Sequence, residues 1–303
     1  MLYKTILHSG RIFLSRNGMR LVKNISVILI SLFLLGCVKP NDNIENEGLR
    51  IISLTPANTE ILFALGLERD IVGVTSYCNY PQRVQQIASV GNFSNPSFEK
   101  IISLNPTIIF TAGIEQEYIT ERLRTLNLNV IQIDPHSISE IMDSVIMIGW
   151  ETGKKKQALN VVKHIRERIK EISSQSRSLG NKPRIFIEVY SNPLMTVGKE
   201  SYINEVIDIA GGINIFSELE KAYPQVSGEA IIQRDPDIIL ALSMEKEADI
   251  IKRLGWGRIK ACRSSSIIDD IDPDIILRPG PRIVEAIEIL HKKIIDFISE
   301  SKA

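Results

Sequence analysis

KKKQALNVVKHIRERIKEIS, residues 154–173, sets the architecture of the chain. Apolar side chains recur at Ala158, Val161, Val162, Ile165, Ile169 and Ile172, mostly three or four apart, which is the period of a helix. No Gly or Pro interrupts the run. Gly153 precedes it, and SSQSRSLGNK, residues 173–182, ends it in loop chemistry. About 20 residues at 1.5 Å each span roughly 30 Å, the width of a small domain.

The flanks of this helix resemble one another. Glu99-Lys-Ile-Ile-Ser-Leu-Asn-Pro-Thr-Ile-Ile-Phe110 stands before it and Glu229-Ala-Ile-Ile-Gln-Arg-Asp-Pro-Asp-Ile-Ile-Leu240 after it. Each runs from a Glu through a short amphipathic turn to Asn/Asp-Pro and then a buried strand. A second pair, Arg50-Ile-Ile-Ser-Leu and Arg184-Ile-Phe-Ile-Glu, opens a strand that leads into a helix closed by Gly66 or Gly211. The offsets, 130 and 134 residues, are close to one domain length. The expected fold is α/β: two similar lobes with central, mostly parallel sheets, joined by one long α-helix.

Working outward gives five segments: a leader over 1–37, a polar tether over 38–49, a first lobe over 50–136, linker helices over 137–182 and a second lobe over 183–303. The leader places Arg20 and Lys23 before Ile25–Leu35, an apolar run that ends in Leu34-Leu35-Gly36-Cys37. A run of 11 residues is too short to span a bilayer, which takes about 20. A start at Met19 would give a more compact leader than a start at Met1. Five basic residues and no acid precede Cys37, so the remainder is acidic by five charges. That balance argues against a nucleic-acid partner, because phosphate binding needs a basic face. Cys78 and Cys262 remain, one per lobe, and are expected to be free thiols.

In the first lobe, strands are expected at 50–54, 70–75, 107–111 and 130–133, with Thr55–Glu60 turning into a helix over Ile61–Leu65. In the second, loops are expected at 190–199, 216–226, 243–247 and 271–281, with Pro281 in the first turn of a last helix over 282–298. A further helix over 139–150, capped by Ser137 or Ser139, precedes the long one, with Gly149 and Gly153 separating the two. Parallel sheets bind ligands beyond the carboxyl ends of their strands.

No Gly-x-Ser-x-Gly elbow, P-loop or Gly-x-Gly-x-x-Gly is present, and the reading is non-enzymatic. His136, His164 and His291 are scattered without a second ligand at helical spacing, so no metal site or cofactor is expected. His164 and His291 suit helix surfaces; Trp150 and Trp256 suit the core. Tyr80, Phe93, Tyr190 and Tyr223 fall in loops at one edge of their lobes, where they would offer broad flat contacts to a large ligand. Asp274 and Arg278 are spaced to pair with each other or to meet polar groups of that ligand.

Several stretches carry a resemblance. They are Thr55-Pro-Ala-Asn-Thr-Glu-Ile-Leu-Phe-Ala-Leu-Gly66, Val72-Gly-Val-Thr-Ser-Tyr-Cys-Asn-Tyr-Pro81, Asn192-Pro193, Gly198-Lys-Glu-Ser201, Gly211-Gly-Ile-Asn-Ile-Phe216, Tyr223-Pro-Gln-Val-Ser227 and Arg278-Pro-Gly-Pro-Arg-Ile-Val-Glu285. Together the chain resembles the cobalamin-binding proteins of bacterial ABC importers, in the two-lobed, single-linker-helix family that also holds siderophore and haem binders. The resemblance implies a ligand between the lobes, a corrinoid or else a ferric siderophore or haem. It places Tyr80, Tyr223, Asp274 and Arg278 at ligand contacts, with Phe93 where a Trp is common. It implies that Glu99 and Glu229 dock onto arginines of the permease. Gly36-Cys37 resembles a lipobox, which implies lipidation of Cys37 and a monomer anchored at the outer face of a cell membrane or in the periplasm. Nitrogenase-like enzymes share the two-lobed plan but need cluster cysteines that are not present here.

Overall fold

The computed structural model describes residues 48–301; the expected leader, the lipidated Cys37 and the tether to residue 47 lie outside them. The first sheet is built from β1 (Ile51–Ser53), β2 (Ile71–Val74), β3 (Ile108–Thr111) and β4 (Val130–Gln132), with α1 (Pro56–Ala64), α2 (Phe98–Ser103) and α3 (Glu117–Thr125) between them. Its order is β2-β1-β3-β4, all parallel. Then come α4 (Ile138–Glu151) and α5 (Lys155–Arg177).

The second lobe contains β5 (Arg184–Glu188), the hairpin β6 (Tyr190–Ser191) and β7 (Leu194–Met195), α6 (Tyr202–Ala210), β8 (Ile213–Asn214), α7 (Gly228–Arg234) and β9 (Ile238–Ala241). It ends with α8 (Glu247–Ile250), α9 (Lys260–Arg263), β10 (Ile267–Ile268), α10 (Pro273–Leu277) and α11 (Ile283–Glu300). Its sheet runs β8-β5-β9-β10, again parallel, so the two four-stranded sheets match strand for strand and the β6–β7 hairpin is an addition of lobe two.

The repeat extends to chemistry. Ser97 caps α2 by accepting from the Lys100 amide, and Ser227 caps α7 by accepting from the Ala230 amide. Both helices stop at a left-handed residue, Asn105 and Asp235, each with φ 44°, ahead of a proline that cannot continue the helix. The Arg50 side chain donates to the Leu104 carbonyl at the end of α2, and Arg184 donates to the Arg234 carbonyl at the end of α7. Register agrees as well: Ile51 faces Ile108, and Ile185 faces Ile238.

Strand residues alternate between two apolar layers per sheet. Ile51, Ile108 and Phe110 pack on one face, and Ile52 and Ile109 on the other. In the second lobe Ile185, Ile187 and Leu240 take one face, and Phe186 and Ile239 the other. Helices cover both faces, so the strands are apolar nearly throughout.

Both linker helices reach both cores. In α5, Ala158 and Val162 pack in the first lobe and Ile165 and Ile172 in the second. In α4 the order is reversed, with Ile138 and Ile141 in the second lobe and Val145 and Ile148 in the first. Gly149 does not break α4. It lies inside the helix, where an added Cβ would come 2.4 Å from Cβ of Ala158 and hold the two helices apart. The turn is made at Gly153, with φ +72°.

Other expectations shift. α5 runs to Arg177 because the Ser176 hydroxyl, expected in a loop, is buried and donates to the carbonyls of Ile172 and Ile209. α1 begins at Pro56, not Ile61, since Pro suits a first helical position and Thr55 accepts from the Asn58 amide. Pro281 stands outside α11, whose cap is Arg282, and 273–277 is helical. Trp150 is exposed, with Lys155 Nζ 4.2 Å from its ring, while Trp256 is in the core as expected. His291 is buried: its Nδ1–H donates to the Ala210 carbonyl at 2.8 Å, and Nε2 has no partner among the described residues. Cys78 and Cys262 are free.

Candidate functional site

Between the lobes lies a cleft of about 390 Å³. Lobe one contributes the start of α1 (Thr55–Asn58), Phe93, the loop after β3 (Ala112–Glu115) and the loop after β4 (Ile133–His136). Lobe two contributes Glu200–Tyr202, Ala222, Tyr223 and Leu277–Pro279. These segments follow strand carboxyl ends or precede helices, where parallel sheets place their ligands.

Of the residues expected to bind ligand, Phe93, Tyr223 and Arg278 line the cleft. Tyr80 does not. Its ring lies 4.0 Å from the guanidinium of Arg282 and belongs to the packing between lobes. Tyr190 is not in a loop but opens β6, pairs with Met195, and is exposed away from the cavity wall. Asp274 sits behind the wall, bonded to Arg278 Nη2 at 2.6 Å and to Asn79 Nδ2 at 2.9 Å. Glu99 and Glu229 are exposed in the first turns of α2 and α7. The Glu229 carboxyl lies below its ordinary value because its own backbone N–H and the Ser227 hydroxyl bond it, so it is ionised at neutral pH.

Three features were not anticipated. The first is Glu60, 4% exposed on α1. Its Oε1 accepts from Arg278 Nη1 at 3.0 Å and Arg282 Nη2 at 2.7 Å, and its Oε2 accepts from Arg282 Nε at 2.9 Å. Burial works against the Arg282 charge, but bonding to Glu60 outweighs it and raises the pKa. The second is the charge of the wall: Glu115, Asp134 and Glu200 line it, and Arg278 is its single Lys or Arg. The third is Tyr202, whose hydroxyl donates to the Ile276 carbonyl at 2.9 Å. Burial pushes the Tyr202 hydroxyl far up and the Tyr223 hydroxyl up, so both stay protonated. Tyr223 can therefore donate to a ligand. A signal for Glu60 was present: α1, PANTEILFA, carries one acid and no polar stripe, so that acid must be buried and needs a cation.

No group of three or more His, Cys, Asp or Glu that could hold a metal occurs among the described residues, nor any helix there long and apolar enough to cross a membrane. The described wall offers flat rings, protonated tyrosine hydroxyls and carboxylates, groups suited to binding.

The fold and cleft define a two-lobed solute receptor. The chain belongs to the periplasmic binding protein family, whose model matches residues 51–274. It is 33% identical over 258 residues to an uncharacterized ABC transporter substrate-binding lipoprotein, YvrC, of Bacillus subtilis, covering 83% of this chain and 81% of that one. Among solved structures it is similar to a possible iron-binding (periplasmic solute-binding) protein from Staphylococcus epidermidis, with a TM-score of 0.72, 32% identity and coverage of 81% of this chain and 98% of the other. It is also similar to the periplasmic vitamin B12 binding protein BtuF of Vibrio cholerae, with a TM-score of 0.70, 26% identity and coverage of 82% and 97%. The chain is thus a substrate-binding protein of an ABC importer.

Proposed function

We propose that the protein is an extracytoplasmic, lipid-anchored receptor that takes cobalamin or a related corrinoid into the inter-lobe cleft and passes it to an ABC permease. The observation that carries this reading is the charge of the cleft wall. Its single arginine is already bonded to Glu60 and Asp274. Glu115, Asp134 and Glu200 leave the rest of the wall acidic. A haem with its carboxylates, or an anionic ferric siderophore, would be desolvated there against like charge, with no uncommitted Lys or Arg among the described wall residues to pair with. A corrin ring is edged by neutral amides, whose N–H groups donate to carboxylates and whose carbonyls accept from Tyr223. Phe93 and Tyr223 supply faces for the ring. A cleft of about 390 Å³ suits one edge of such a ligand, with the remainder toward the mouth.

Calorimetry on the purified protein tests the reading with cyanocobalamin, cobinamide, haemin and a ferric siderophore. Heat with the two corrinoids and none with the other two is expected. Heat with haemin or the siderophore alone would remove the corrinoid assignment.

A further inference from the structure

Glu60 belongs to lobe one, yet both of the cations that neutralise it belong to lobe two. Every bond of the arrangement around it crosses the boundary except Arg278 to Asp274. Arg282 bonds both Glu60 oxygens and lies over the ring of Tyr80. Arg278 bonds Glu60, Asp274 and, at 2.7 Å, Asn79 Oδ1. Asn79 in turn donates to Asp274. Two arginines face two carboxylates, so the cluster is neutral within itself. Glu60, Arg278 and Arg282 are nearly withdrawn from water, with side-chain exposures of 2%, 11% and 12%. Such pairs are screened little by salt.

The position matters as much as the bonding. α5 and α4 tie the lobes together through their cores. A single such attachment leaves two packed bodies free to rock about it. The ion cluster is a second attachment, on the side where Arg278 enters the cleft wall. Two attachments fix a spacing that one does not.

We propose that Glu60 is a positioning residue at the centre of an inter-lobe clasp with Arg278 and Arg282, and that this clasp sets the width of the cleft and must open for ligand to leave. The cleft width is then held by side chains that a permease can prise apart, and not by the stiffness of α5 alone. This rests on the cleft being the ligand site; the spacing of the lobes in the empty protein does not.

The test uses the exported chain with Cys262→Ser and spin labels at Tyr118→Cys and Leu254→Cys, one exposed site per lobe outside cleft and clasp. Pulsed dipolar spectroscopy without ligand is expected to give one narrow distance distribution. In Glu60→Gln it should lengthen and broaden, with Arg282→Lys, which keeps the charge but loses the paired bonds, lying between. Cobinamide dissociation from Glu60→Gln should quicken by about tenfold, as expected when one partner of a buried pair is lost. If Glu60→Gln does not fold, Asn79→Ala with Asp274→Asn breaks the outer bonds and should broaden the distribution in the same sense. Distributions that superimpose on the parent in all these variants would overturn the clasp. Failure of the parent to bind cobinamide would instead count against the corrinoid reading and leave the distance result standing.

Discussion

The carboxylate of Asp134 occupies the space a side chain at position 113 would need: an ideal Cβ on Gly113 would lie 1.9 Å from the Asp134 carboxyl carbon. Gly113 follows β3 and Asp134 follows β4, so this contact packs two loops of the cleft wall together. Gly113→Ala should push the Asp134 carboxylate aside. The side chain is half exposed and can swing, so stability should fall by less than about 1 kcal/mol. Ligand affinity should change more than the melting temperature does; calorimetry beside a thermal melt separates the two.

Gly149→Ala should act in the opposite way. The obstructing atom is Cβ of Ala158, which cannot move without its helix. A loss of roughly 1–3 kcal/mol is expected, as for overpacking elsewhere. A urea titration would show the midpoint falling with little change in slope.

Glu188, fully buried at the end of β5, is held by Arg253 and by the Ser243 hydroxyl at 2.6 Å. Arg253 also bonds Glu245 at 2.6 Å and stacks over Trp256. Arg253→Met leaves Glu188 without its counter-charge and should cost about 3–5 kcal/mol, read by chemical denaturation.

Glu245 gives a pH dependence. Bonding to Arg253 and then to Ser191 holds its carboxyl below the ordinary value, more than burial raises it. Its stabilising contribution is therefore complete above the unfolded carboxyl value, about 4.3, and is lost as pH falls through the lower folded value. Ser191 lies on β6, so the protection of β6–β7 hairpin amides, measured against their intrinsic exchange rates, should fall below about pH 4. Unchanged protection there at pH 3 would contradict this.

Glu99 and Glu229 stand at equivalent points of the two lobes, each one residue into a serine-capped helix. We propose that this pair of carboxylates, one on each flank, docks onto arginines of the permease. Glu99→Arg combined with Glu229→Arg should abolish uptake and leave calorimetric affinity unchanged; normal uptake by that variant would rule out the docking role.

The repeated unit could be read from the chain because its signals are local: a Glu, a short amphipathic turn, Asn/Asp-Pro and an apolar strand recur at one offset. The cleft's charge could not. Arg282 is 222 residues from Glu60, and no periodicity links an acid on one helix to a cation that close only in space. The same limit explains Tyr80, which remains partly exposed but turns one ring face to that arginine and not to the cleft. His291 looked like a surface residue because its neighbours Lys292 and Lys293 are polar, yet α11 turns it onto the α6 terminus. Trp150 differs for the opposite reason: an indole on an apolar helix suggests burial, but its position on α4 faces outward beside Lys155.

Because α4 and α5 each thread residues into both cores, neither half has a boundary at which melting can stop. Unravelling one lobe strips apolar cover from the other, so heat should take the whole exported body down in one cooperative step. A calorimetric scan with a single peak, whose van't Hoff enthalpy equals its measured one, is the expected record of that shared fate.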